Sequence, residues 1–125
     1  MRKRIFAFVI ASAILAGSAR AHEASKHRAA TVTGEIVDTG CFLGHRGQGA
    51  KHVGCATKCI NGGMPMGVLT RQGTLYLVTM NHDNPDPYNK LKGMAGKSVA
   101  VTGQSYTRAG MKAIEVTGFK PARGA

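Results

Sequence analysis

The chain contains no tryptophan, and three tyrosines with four phenylalanines leave it little aromatic surface. Proteins that bind single strands stack bases on aromatic side chains within a basic groove. The segments read below as the second and third strands carry one aromatic, Tyr76, so no nucleic-acid partner is expected. Past residue 21 there is no long apolar run, and hence no transmembrane segment. Cys-x-x-Cys, the usual dithiol redox motif, is absent, and so is the haem-attachment signature Cys-x-x-Cys-His. No catalytic signature is found, and the chain is not expected to be an enzyme. Acidic residues are few, 6 against 17 Lys and Arg.

What is present begins with a leader. Met-Arg-Lys-Arg is followed by an apolar run from Ile5 to Ala16 and by Gly17-Ser18-Ala19-Arg20-Ala21. A basic start, a short apolar stretch and a small-x-small end describe a secretory signal peptide with cleavage after Ala21. The expected location is periplasmic or secreted. Losing Arg2, Lys3, Arg4 and Arg20 leaves 13 basic residues against 6 acidic ones, a net charge of +7 on residues 22–125. In an exported protein such a charge suits solubility or contact with anionic envelope surfaces and partners.

Residues 22–30 are polar and Ala-rich and read as a flexible tail; residues 121–125 read as a second one. Between them, residues 31–120 are expected to form one domain. Thr31 to Thr39 is strand-like, with Gly34 inside it. Gly67 to Thr70 and Thr74 to Met80 form a hairpin around Arg71-Gln72-Gly73. Asn81 to Pro87 is a loop, and Tyr88 to Met94 supplies one or two helical turns. Lys97 to Tyr106, with Val99 and Val101 on one face, and Met111 to Phe119 complete five strands. Val-Thr-Gly recurs at 32–34, 101–103 and 116–118. Glycines at those points let strands coil tightly enough to close a small barrel. The predicted fold is mainly β: a small five-stranded OB-like Greek-key barrel, with a Cys/His-rich loop-helix insertion after strand 1 and a short helix between strands 3 and 4. A generic antiparallel sheet packed on a helix is the alternative.

The segments VTGEIVDTGCF, GGMPMGVLT, GTLYLV and VAVTGQSY with IEVTGF resemble small exported bacterial proteins with an OB-like domain. The resemblance covers nearly all of the chain after the leader. It implies the barrel and the exported location, and no residue-level role.

Chemistry concentrates in Cys41 to Cys59, CFLGHRGQGAKHVGCATKC. All three cysteines lie here, spaced with two histidines as Cys-x3-His and then His-x2-Cys-x3-Cys. Gly44, Gly47 and Gly49 make its first half a loop; Ala50 to Ile60 has a helical pattern stopped by Asn61-Gly62-Gly63. On such a helix His52, Cys55 and Cys59 share one face, with Cys41 and His45 folding over it. Cys41, His45, His52, Cys55 and Cys59 are therefore the candidate metal ligands, for zinc in a tetrahedral site or for copper held by soft sulfur. Met64 and Met66 follow closely as further thioether donors, which favours copper.

Three cysteines cannot all pair within one chain, and exported thiols tend to oxidise. The competing reading is thus a disulfide-stapled envelope domain, with a spare thiol and an unknown envelope protein as partner. A Cys41–Cys55 bridge closes a loop worth about 3 kcal/mol. Cleavage after Ala21 also exposes His22, whose amine and imidazole can chelate copper(II); a solvated tail is the plainer reading of His22 and His27. His82, beside Asp83 and Asp86, reads as a solvated loop histidine.

Overall fold

The computed structural model describes residues 27–123. The leader, the cleavage site and His22 lie outside them.

The element order is β1 (Arg28–Asp38), α1 (Thr39–His45), a 3-10 turn (Ala50–His52), α2 (Val53–Asn61), β2 (Met66–Thr70), β3 (Leu75–Met80), α3 (Asp86–Leu91), a 3-10 turn (Lys92–Met94), β4 (Ser98–Arg108) and β5 (Met111–Pro121). The five strands close into a barrel in the order β1-β2-β3-β5-β4, and β4 returns to β1. All neighbours are antiparallel except β3 and β5, which run parallel. This is the expected OB-like order, with α3 between the third and fourth strands.

The barrel interior is aliphatic. Ile36, Val68, Val99, Val101, Ile114 and Val116 are all fully buried, and Leu91 of α3 and Ile60 of α2 add to the same cluster. Val99 and Val101 share the inward face, as period-2 alternation requires. Tyr76 packs against the rim of this core. Among the described residues no helix is long and apolar enough to cross a membrane.

Two of the three Val-Thr-Gly glycines are sterically required. A Cβ at Gly34 would meet the carbonyl of Leu69, and one at Gly103 the carbonyl of Glu115, where the β4–β5 register shifts between Thr102 and Gly103. These are the close approaches and the bulge that close a small barrel. Gly118 differs, because a Cβ there meets nothing within 4 Å.

Strand limits shift by one to three residues, most at the start of β1. β1 begins at Arg28, not Thr31, because Arg28 to Ala30 pair with Ser105 to Gly103 of the long β4. The last three residues expected in the tail are therefore strand, an assignment made by the partner and not by local composition. β5 likewise runs through Pro121.

Candidate metal centre

The insertion between β1 and β2 differs from the loop expected of its glycines. Thr39 and Gly40 leave the strand and open a helix, α1, which carries Cys41. Asp38 makes this possible. Its backbone is extended (φ −76°, ψ 130°), and its Oδ1 accepts the Cys41 N–H at 2.7 Å. That is an N-cap bond, satisfying a donor that the first turn of a helix otherwise leaves free. At the other end Arg46 adopts the left-handed conformation (φ 59°). The Arg46 N–H reaches the Phe42 carbonyl at 2.9 Å, and the Gly47 N–H reaches that of Cys41 at 3.1 Å. The chain then turns back over Cys41.

The return path is fixed by a second β1 carboxylate. Glu35 Oε1 accepts the Gly49 N–H at 2.6 Å. Gly47 is buried against the His52 ring, and a Cβ there would lie 2.5 Å from Nε2 and 3.0 Å from the Cys41 Cβ. Past the 3-10 turn, α2 presents Cys55 and Cys59 on its outer side and buries Ala56 and Ile60. It ends at Asn61-Gly62-Gly63 as the sequence predicts. Gly63 takes φ 104°, and the Met64 N–H bonds back to the Cys59 carbonyl at 2.9 Å.

Cys41 of α1 and Cys55 and Cys59 of α2 converge. Cys41 Sγ lies 3.9 Å from Cys55 Sγ, which lies 4.0 Å from Cys59 Sγ. All three sulfurs lie within 4.8 Å of one another. A disulfide requires about 2.05 Å, so none is formed, and all three cysteines are free. Thiolates around one ion at about 2.3 Å have sulfur–sulfur edges of about 3.8 Å in a tetrahedron and about 4.0 Å in a trigonal plane. The observed separations suit either arrangement.

A second group shares Cys41. Asp38, Cys41 and His52 also lie within 4.8 Å of one another, with His52 Nε2 3.3 Å from Asp38 Oδ2. Asp38 is fully buried, and His52 is largely covered. Sequence reasoning missed Asp38 because it ends a β-branched run; the available signal was its cap spacing, an Asp three residues before Cys41.

The expected five-residue set is therefore divided. Cys41, Cys55 and Cys59 come together, and His52 joins Cys41 through Asp38. His45 belongs to neither group; its exposed ring stands edge-on to His52 with centroids 5.7 Å apart. Of the two methionines, Met66 enters β2 and is fully buried in the core, which removes it as a donor. Met64 stays at the surface with its thioether against Gly40. His82 is exposed in its loop, as expected.

The electrostatics oppose free thiolates. The carboxylate of Asp38, followed by burial and the neighbouring Cys55, pushes the Cys41 thiol up to about 12. Burial, and then Cys55, raises Cys59 above the ordinary 9.0. Burial works against ionisation of Asp38 itself, but the Cys41 N–H and thiol, together with His52, hold it below the ordinary 3.8. A cation reverses this balance, because a coordinated thiol loses its proton. From Thr39 to Asn61 the chain carries Arg46, Lys51 and Lys58 and no acid. These cations offset the negative charge that three thiolates leave on a mono- or divalent ion.

No family model, curated protein or solved structure matches the chain.

Proposed function

We propose that the protein is an exported, non-enzymatic metal-binding module, in which an OB-like barrel carries a three-cysteine centre for copper or zinc. The observation behind this reading is the convergence of Cys41, Cys55 and Cys59 from two helices to sulfur spacings of 3.9 and 4.0 Å. Two features support it. The insertion is tied to β1 by Glu35 and Asp38, so the donors are positioned by the barrel. The donor set, thiolates with imidazole nearby, suits zinc and copper(I) and not the hard, oxygen-seeking ions. The exported location is read from the leader.

The Asp38–His52 pair has a supporting role here. A carboxylate that accepts one ring N–H of a histidine fixes its tautomer and orientation and raises the basicity of the other nitrogen. The cysteines bind the ion, and His52 and Asp38 hold Cys41 and the turn in place.

Native mass spectrometry of the protein purified from the cell envelope without chelator tests the proposal. One zinc or copper per chain, lost when Cys55 and Cys59 become Ser, is the expected result. A metal-free mass two hydrogens below the reduced value would overturn it in favour of the disulfide-stapled domain.

A further inference from the structure

Among the described residues no His, Asp or Glu joins all three cysteines of the centre as a fourth donor. A structural zinc site is closed by four ligands. Here the sulfurs form a set of three, and the Asp38–Cys41–His52 group touches that set through Cys41 alone. His52 is turned by Nε2 towards Asp38, and His45 stands outside both groups. A thioether, that of Met64, packs against Gly40, the residue before Cys41.

The position of Met64 is built, not incidental. The positive-φ turn at Gly63 reverses the chain, and the Met64 N–H bonds to the carbonyl of Cys59, a thiol-bearing residue. Its side chain then reaches to Gly40, the chain neighbour of Cys41, another thiol-bearing residue. A Cβ at position 40 would lie 2.7 Å from both Sδ and Cε of Met64, so the glycine leaves the space that the thioether fills. Met64 is 38 % exposed although the aliphatic core is close by, and its neighbour Met66 is fully buried. An apolar side chain is thus held at the surface, tied through its backbone to Cys59 and packed on the neighbour of Cys41, while Cys55, the middle member of the thiol cluster, is itself exposed.

We infer that Met64 is the thioether donor that makes this a copper(I) centre, with Cys41, Cys55 and Cys59 as the thiolates and Met64 as the weak, exchangeable ligand. The inference rests on the metal reading above and narrows it to one ion. Copper(I) is the soft ion that thiolate and thioether together select. Zinc has no comparable use for a thioether and prefers a fourth nitrogen, oxygen or thiolate ligand. The open edge at Cys55 also suits an ion that is passed to another soft-ligand site, because a partner can enter there while Met64 leaves.

The test uses the mature protein, prepared anaerobically with its thiols reduced. It is titrated with copper(I) against a chromophoric copper(I) chelator, and separately with zinc against a zinc indicator. Met64→Leu keeps an apolar side chain of similar size and removes the sulfur. It should weaken copper(I) by about tenfold or more, since even loss of an outer-shell partner costs a metal site about that much, and leave zinc within about twofold. Gly40→Ala, whose Cβ takes the thioether's place, should reproduce the effect. The methyl resonance of Met64 should shift on adding copper(I) and stay put on adding zinc. Unchanged copper(I) affinity in Met64→Leu, or equal weakening of both ions, overturns the inference. A wild-type protein that binds zinc and not copper(I) overturns it too, while leaving the broader metal reading intact. If neither ion binds, and Cys55→Ser titrates like the wild type, both fall.

Discussion

Asp38 holds two parts of the insertion at once: its Oδ1 caps α1 through the Cys41 N–H at 2.7 Å, and its Oδ2 lies 3.3 Å from His52 Nε2. One buried carboxylate thereby fixes both the residue that starts the thiol cluster and the histidine fourteen residues after Asp38 itself. Its placement at the end of β1 makes the barrel the frame for the site.

Replacing Asp38 with Ala should therefore act on stability and on the site together. Losing a cap costs about 1 kcal/mol, and leaving the Cys41 N–H without a partner raises the total to about 1–3 kcal/mol. Asn, whose side-chain oxygen can still cap, should recover part of it. Urea midpoints of the three proteins at neutral pH give the comparison; a midpoint for the Ala variant equal to that of the wild type would refute the bridging role.

The same carboxylate sets an acid dependence. Its pKa is lower in the folded protein than the ordinary 3.8. The stabilisation is accordingly present above the unfolded-state value and is lost as pH falls through the folded one. The midpoint difference between wild type and Asp38→Ala should be constant from neutral pH down to about 5 and shrink below about 4. A gap that widens on acidification would show the sign to be wrong.

The barrel's closure depends on two glycines of the repeated triplet and not on the third. Gly34→Ala and Gly103→Ala force a Cβ onto the carbonyls of Leu69 and Glu115, whereas Gly118→Ala enters open space. Overpacking against backbone that cannot yield costs about 1–3 kcal/mol, and a free surface change stays within about 0.5 kcal/mol. Thermal unfolding of the three variants should rank Gly118→Ala beside the wild type and the other two well below it.

The barrel was legible because its signals are local and repeated. Val99 and Val101 alternate, Arg71-Gln72-Gly73 marks a hairpin, Asn61-Gly62-Gly63 stops α2, and the triplet glycines mark tight strands. The density of Cys41, Cys55 and Cys59 pointed to the site for the same reason. What sequence could not carry depends on distant partners. Arg28 to Ala30 have a tail's composition and become strand because β4 extends far enough to pair with them. Thr39 to His45 is a poor helix, with two glycines in seven residues, and exists because Asp38 caps it and Arg46 closes it. Met64 and Met66 look equivalent in a linear motif. β2 begins at Met66, which sends that side chain into the core and leaves Met64 over Gly40.

The thiols lead to the final prediction. Cys41 is raised to about 12, and Cys59 is raised as well. These two thiols therefore hold their protons at neutral pH, and an ion must displace them to bind. Calorimetric titration at pH 7 in buffers of different ionisation enthalpy should show at least about two protons released per ion bound. Affinity should rise with pH for the same reason, since fewer protons remain to be displaced. Alkylation gives the complementary view. The exposed Cys55 should react first and Cys41 last, all three should count as free thiols in the denatured, unreduced protein kept anaerobic, and bound metal should protect them together. Proton release near zero, or a count of one thiol, would mean that the three sulfurs do not act as a single ligand set.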